Sequence, residues 1–178
     1  LVTWLGGTSA DWNTASNWSG SIIPSCGGRD LIKIGPGVPN QPTISGATVG
    51  NFRELVILEG ATLTLSGSGS LEQCATVATP FSLIVNGTLT VSGSQAIILY
   101  GDFYQNNTFS HGTGTFSLLG SSTQSIDGDE DPIQFYNVVI NGTGVKTLNQ
   151  QVKITNTLAF TNGVIITTTN NLLTFTAT

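Results

Sequence analysis

The chain has 178 residues and a formal net charge of −5, and only 8% of its residues are charged, against roughly a quarter in typical globular proteins. Its hydrophobic share of 39% excludes a disordered chain, which lacks the apolar residues that offset chain entropy. The five basic residues are scattered and no apolar run approaches 18 residues, so the sequence predicts neither a nucleic-acid surface nor a membrane-spanning helix. Ser, Thr, Asn and Gly dominate the polar remainder, which is typical of extracellular β-proteins.

Residues 1–50 form an irregular segment that holds all three tryptophans, Trp4, Trp12 and Trp18. The short polar residues around them favour side-chain turns. We therefore expect a cap whose indole rings cover one end of an apolar core, with strands beginning near residues 30–34 and 42–45. The chain opens on leucine, without a methionine, so we expect a mature or trimmed fragment whose leader has been removed.

A strand cassette recurs in the rest of the chain. It consists of a strand, a glycine turn and a second strand in residues 55–67, returns in 83–93, and persists in degraded form at 138–142 and 156–163. A repeat of this length fits one coil of two or three short strands at about 3.3 Å per residue. Recurrence of one such unit predicts a coil whose turns stack on one another.

These features predict an all-β fold, a parallel β-helix or β-solenoid with a tryptophan-rich N-terminal cap. Residues 1–50 would supply the cap and the first strands, and residues 51–178 the stacked coils, as one continuous domain. An antiparallel β-sandwich is the alternative, because Asn-Gly pairs between strands are good hairpin turns. The solenoid is favoured because the cassettes resemble one another, as stacking requires, whereas each strand of a sandwich has a different neighbour.

Cys26 and Cys74 are the two cysteines of the chain. In an oxidising compartment they could close a loop of about 49 residues, which the chain-entropy model equates with roughly 4 kcal/mol of stabilisation. The secreted character of the composition favours this disulfide over two buried free thiols.

An acidic run places four carboxylates within five residues, and its members are Asp127, Asp129, Glu130 and Asp131. A hard cation with oxygen ligands relieves such crowding, so the run is a candidate calcium site. It lacks the later glutamate of a twelve-residue calcium loop, and a solvated acidic turn is the alternative. The sequence indicates no other cofactor.

The sequence offers little support for catalysis. His111 is the only histidine, and it lies in a turn without a nucleophile-elbow motif. A polysaccharide lyase or hydrolase would need paired carboxylates from neighbouring coils. The candidates for that role are Glu54, Glu59, Glu72 and Asp102. Basic partners for them are few, so we predict that the chain is not an enzyme.

A carbohydrate-binding module is a further functional alternative, because exposed aromatic rings suit the apolar faces of sugars. The candidate rings are Trp4, Trp12, Trp18, Tyr100, Tyr104 and Tyr136. The competing interpretation is that the tryptophans plug the cap and the tyrosines lie at coil corners.

Residues 174–178 continue the strand pattern without a polar capping segment. An uncovered solenoid end exposes core side chains and unpaired backbone groups. We expect that either the native protein continues or this end joins another molecule.

Several loose motifs occur in a distinctive order. They are the opening Trp-x-Gly-Gly with Asp-Trp-Asn-Thr-Ala-Ser-Asn-Trp-Ser-Gly, then residues 40–44, 101–109, 112–116, 134–141 and 156–165. Together they resemble secreted surface repeat proteins of Bacteroidetes-type bacteria. The resemblance implies an extracellular parallel β-solenoid within large adhesin-like proteins, with no settled activity and no catalytic residues to carry over. The acidic run departs from it, since a neutral Ser/Gly turn is expected there.

The sequence thus predicts a non-catalytic structural or adhesive segment of a secreted bacterial cell-surface protein or fibre. Its expected partners are other segments or copies of the same protein, joined end to end, and surface glycans. Its expected location is the extracellular face of the cell.

Overall fold

Alternating apolar residues wind the chain into a parallel β-solenoid of about seven turns. The structure is a computed structural model that describes residues 1–28, 31–75 and 81–176. Every ladder between strands in those ranges is parallel. The solenoid prediction is confirmed and the antiparallel sandwich is wrong, because each strand pairs with its counterpart in the next coil. The predicted strand near residue 30 and the strand pattern at 174–178 lie partly outside the described residues.

Short strands separated by turns make up the coils. The strands are β1 Val2–Thr3, β2 Leu31–Ile34, β3 Thr43–Ile44, β4 Val49–Phe52, β5 Glu54–Ile57, β6 Thr62–Leu65, β7 Ser70–Gln73, β8 Ser82–Val85, β9 Thr88–Val91, β10 Ala96–Leu99, β11 Asp102–Gln105, β12 Phe109–Ser110, β13 Thr115–Leu118, β14 Gln124–Gly128, β15 Ile133–Leu148, β16 Val152–Ile166 and β17 Leu173–Phe175. Two single turns of 3-10 helix, Ala15–Asn17 and Ser19–Ser21, lie in the N-terminal segment.

The coils stack into three walls. Wall 1 contains β1, β2, β5, β8, β11 and β14, and wall 2 contains β4, β7, β10 and β13. Wall 3 contains β3, β6, β9 and β12. The long strands β15 and β16 bend through the walls, because their separate segments pair with different partners and register shifts mark the corners. Their first residues, 133–135 and 152–154, continue wall 3, where β17 completes the stack.

The core is a set of columns of inward side chains at the same register in successive coils. In wall 1 the pairing aligns one column, which consists of Ile32, Leu55, Leu83, Phe103, Ile126 and Leu148. Each of these residues is buried, while its chain neighbours are mostly half-buried. This is the period-two alternation of a strand with one face on a core.

The N-terminal cap is built from the tryptophans. Trp18 packs edge-on against both Trp4 and Trp12, with ring centroids 4.8 and 4.7 Å apart, and all three rings are buried. The buried Asn17 holds the surrounding turns, since its Oδ1 accepts hydrogen bonds from the backbone N–H groups of Thr8 and Ser9. The interpretation that the tryptophans plug the core is confirmed, and their rings are therefore not available to sugars.

Buried glutamines satisfy backbone groups at the corners of the coils. The Oε1 of Gln73 accepts hydrogen bonds from the backbone N–H groups of Tyr100 and Gly101, and its Nε2 donates to two carbonyls. Gln95 and Gln124 each accept from a backbone N–H and donate to a backbone carbonyl in the same way. An inward glutamine thus replaces ladder hydrogen bonds where the chain turns.

A disulfide joins Cys26 and Cys74, whose Cα atoms lie 5.3 Å apart. Cys26 lies in the exposed loop before β2, and Cys74 is a buried residue directly after β7. The bond therefore attaches the cap segment to a later coil.

Candidate functional site

The last described coil exposes side chains that its register directs inward. Phe160 aligns with the buried Ile140, and Phe175 aligns with the buried Ile154. Phe160 is nevertheless 48% exposed and Phe175 56% exposed, because no described coil covers them. The half-buried residues beside them also align with core positions of the coil below. We call this surface the terminal face, and it consists of Leu158, Phe160, Ile165, Leu173 and Phe175.

The terminal face combines apolar side chains with an open strand edge. β17 pairs with β16 on one side only, and in the described residues nothing pairs with its other side. An open edge presents unpaired backbone N–H and C=O groups, which attract another strand. The side chains of the face carry no charge that would oppose such pairing. The apolar side chains and the open strand edge of the terminal face are therefore complementary to another β-coil.

Two other apolar residues of β16 are exposed for a different reason. Val164 aligns with Val145 and Ile166 with Thr147, and both of these partners are only half-buried positions on the outer side of wall 1. Val164 and Ile166 thus point away from the solenoid axis, and this orientation explains why they are 53% and 46% exposed. They provide a comparison with the terminal face within the same strand.

A buried lysine lies beneath the terminal face. Lys146 is fully buried, and its Nζ donates hydrogen bonds to the carbonyl oxygens of Gly120 at 2.9 Å and Gly144 at 3.0 Å. Burial lowers the pKa of Lys146, because the charged ammonium loses its hydration. In the sequence Lys146 is one of five scattered basic residues. Lys146 lies two residues before the apolar Leu148, and side chains two residues apart in a strand point to the same side, so this spacing indicates that Lys146 points inward.

The stability of the protein should depend on pH through Lys146. Its pKa in the folded state lies below the unfolded value of 10.5, so between these two values the unfolded state binds more protons. The free energy of unfolding of the wild type should therefore rise, relative to that of Lys146→Met, as the pH increases towards 10.5. Urea unfolding of both proteins at about pH 7 and about pH 10 measures this difference.

Tyr104 also makes stability depend on pH at alkaline pH, since burial and the nearby Asp102 and Asp127 raise its pKa in the folded state. That contribution is common to both proteins and cancels in the comparison. Stability curves that remain parallel across the range would contradict the assignment to Lys146.

The four residues of the acidic run do not converge on one point. The carboxylate of Asp127 accepts hydrogen bonds from the N–H of Gly128 and the Nδ2 of Asn149. Asp131 accepts one from the Nε2 of Gln151 on the next coil. Within residues 1–28, 31–75 and 81–176, no three His, Cys, Asp or Glu side chains are grouped as a metal site requires. Calcium binding by Asp127, Asp129, Glu130 and Asp131 stays a prediction to which this geometry adds no support.

Any two of the carboxylates considered for catalysis differ in their coil or in their position around one coil. Glu54 and Asp102 both belong to wall 1, with β8 between their strands, whereas Glu72 lies on wall 2. Glu59 lies in an exposed turn after β5. The structure instead brings Asp102 near Asp127 on the adjacent strand. These four carboxylates thus share no pocket-like arrangement of the kind that a glycosidase uses.

Asp102 has a raised pKa. Burial raises the pKa of Asp102. A hydrogen bond of 2.7 Å from the N–H of Ser125 opposes this rise, and the negative charge of Asp127 adds to it. Since the side chain is held by a backbone group of the next coil, it contributes to stacking between β11 and β14.

The three tyrosines lie at half-buried positions. Tyr136 stacks on His111, with ring centroids 6.3 Å apart and planes at 26°. The Nδ1 of His111 lies 2.7 Å from the carbonyl oxygen of Gly112, so the turn fixes the ring. This pair brings together one residue predicted for sugar stacking and one predicted only as a turn residue.

A search of the described residues found no helix with the length and apolar character that crossing a membrane requires.

Comparison with known proteins identified one family. A family model described as a domain of unknown function, DUF8693, matches residues 3–112. Comparisons with curated proteins and with solved structures found no match. The matched segment covers the cap and the coils up to the turn after β12, which is more than half of the chain. The chain therefore belongs to the DUF8693 family.

Proposed function

We propose that this protein is a non-catalytic structural segment of an extracellular, adhesin-like surface protein or fibre of a bacterium. In this role it is a rod of stacked coils whose terminal face binds a further β-coil. The exposure of inward-directed side chains on the terminal face carries the proposal. The coil that binds there belongs to another segment or another copy of the same protein.

The energetics favour a stacked partner. Burying one large apolar side chain contributes about 1.5 to 3 kcal/mol, and the terminal face offers five such side chains. A coil of the same kind would extend each core column by one position and pair with the open edge of β17. The Thr-, Ser- and Asn-rich outer positions give the walls a polar surface. The disulfide Cys26–Cys74 suits an oxidising, extracellular compartment.

The chain should associate through its terminal face. In a preparation of residues 1–178, only a second copy can supply the additional coil, so we expect dimers whose population rises with concentration. Phe160→Lys places a charge on the face and should weaken association by about tenfold to a hundredfold, the equivalent of losing one buried aromatic side chain. Sedimentation equilibrium measures the effect.

Val164→Lys is the matched control, because Val164 has a similar exposure on the same strand but points away from the axis. It should associate as the wild type does. A wild type that is monomeric at high concentration, or equal weakening by both variants, would refute the terminal face as a joint. Electron microscopy of concentrated samples should show elongated particles in the wild type and shorter ones with Phe160→Lys.

A further inference from the structure

Wall 3 is interrupted between two successive coils. β12 is an edge strand that pairs with β9 alone, and residues 133–135 pair with β16 on the opposite side. Pro132 precedes this segment and has no N–H to donate to a ladder. A cleft of about 420 Å³ opens between the two strands on the outer surface. Its volume lies within the range of small-molecule binding sites.

The cleft is closed on its inner side by aromatic rings. The ring centroids of Phe109 and Phe135 lie 5.9 Å apart, so contact between the rings closes the gap in wall 3 on the core side. A ligand therefore enters the cleft from outside.

A buried amide at the cleft lacks a hydrogen-bond partner. Gln105 lines the cleft, is only 7% exposed, and has a buried Oε1 that accepts no hydrogen bond within the described chain. The three other buried glutamines, Gln73, Gln95 and Gln124, have both amide atoms bonded to backbone groups. An unpaired buried acceptor costs stability, and a ligand can bond to this covered Oε1 once the Gln105 side chain turns towards the cleft.

The loop that carries Glu130 is fastened to the same residue. The backbone N–H groups of Asp129 and Glu130 lie 3.0 and 3.4 Å from the carbonyl oxygen of Gln105. Gly128 makes this approach possible, because a Cβ there would lie 2.0 Å from that oxygen. Glu130 is thereby placed at the cleft, which Gln134 also lines.

His111 adds an oriented acceptor to this cleft. Its Nδ1 lies 2.7 Å from the carbonyl oxygen of Gly112, and a carbonyl only accepts, so Nδ1 carries the proton in the neutral ring. The Nε2 then has a free lone pair. The ring face is supported by stacking on Tyr136, and Phe109 lies beside it with ring centroids 6.5 Å apart.

The lining selects among classes of ligand. Lysine and arginine are absent from the lining residues and one carboxylate is present, which disfavours phosphates, sulfates and acidic sugars. The acceptors are Gln105 Oε1, His111 Nε2 and the carboxylate of Glu130, and Thr108, Ser110 and Gln134 also offer donors. A ligand with several O–H groups, which both donate and accept, fits this lining. Beside these acceptors, Phe109 offers an apolar surface for C–H groups. A pyranose ring has both features, with hydroxyl groups on its edge and C–H groups on its faces.

We propose that the cleft between β12 and residues 133–135 binds one or two sugar units of a neutral glycan. Gln105, His111 and Glu130 accept hydrogen bonds from sugar hydroxyl groups, and Phe109 contacts the C–H face of the ring. The site lies apart from the tryptophans and does not depend on the terminal face.

Saturation-transfer NMR and calorimetry test this site with cellotriose, mannotriose, xylotriose and chitotriose, and with trigalacturonate as an acidic comparison. At least one neutral trisaccharide should bind with a dissociation constant of about 1 mM or lower, and trigalacturonate should bind more weakly than that sugar. Gln105→Leu should reduce the affinity about tenfold, because one hydrogen bond to the ligand is lost. Its unfolding midpoint should be unchanged or higher, since an unpaired acceptor is removed from the interior.

Thr90→Ala is the matched control, because Thr90 aligns with Ser110 on the same wall one coil below the cleft. It should leave binding unchanged, while the double variant Glu130→Ala, Gln134→Ala should weaken it. The proposal is overturned if no neutral trisaccharide binds at about 10 mM, or if a folded Gln105→Leu variant binds as the wild type does. Binding of trigalacturonate alone, or of a strand-forming Thr-Val hexapeptide instead of the sugars, would also overturn it.

Discussion

Replacing Phe103 by alanine should destabilise the fold by about 3 to 5 kcal/mol, which is the range for removing a fully buried aromatic side chain. Phe103 is fully buried, and its ring contacts those of Phe109, Phe116 and Phe135, with centroids 4.9 to 5.9 Å apart. Phe103, Phe109 and Phe116 lie in one coil and Phe135 in the next, so the cavity would weaken stacking as well as packing within one coil. Urea unfolding followed by circular dichroism measures the loss.

Phe103→Leu should cost less than the alanine variant, because leucine refills much of the cavity. Phe175→Ala is the control at an exposed phenylalanine, and its effect should stay below about 1 kcal/mol in dilute solution, where the terminal face is uncovered. If Phe103→Ala cost no more than Phe175→Ala, the stacked aromatic cluster would not be a source of stability.

Removing the disulfide should lower the free energy of unfolding by about 4 kcal/mol, according to the chain-entropy model for a loop of this length. Cys26 and Cys74 are 48 residues apart in sequence, and the bond links the cap segment to a later coil. Without the bond the unfolded chain has more conformational entropy, while the conformation of the native coil stays the same. The double variant Cys26→Ser, Cys74→Ala keeps a small apolar side chain at the buried position, and urea unfolding measures its stability.

Two comparisons separate the bond from the side chains. Reduction of the wild type should produce a similar loss of stability, and the same reductant should leave the double variant unchanged. A loss below about 1 kcal/mol in both the reduced wild type and the double variant would show that the cap is held by the tryptophan packing alone.

The sequence alone determined the fold class. Similar cassettes at 55–67 and 83–93, together with strict alternation in segments such as residues 62–65, require that each coil repeats the hydrogen bonding of the one before it. The buried state of the tryptophans and the pairing of Cys26 with Cys74 followed from composition and residue type. The fold class is predictable because it depends on the periodicity of side chains along one strand, which is local. The disulfide is predictable because the chain has only two cysteines.

The tertiary structure alone decided which side chains meet between coils. Coil length varies, since Leu55 aligns with Leu83 but Leu83 aligns with Phe103, and sequence spacing therefore could not place residues of different coils together. Alternation in β11 pointed Gln105 inward, yet only the stacked coils reveal that its Oε1 has no partner. The cleft of wall 3 and the terminal face arise where a ladder is missing. A missing ladder is a relation between distant segments, and no local pattern encodes it.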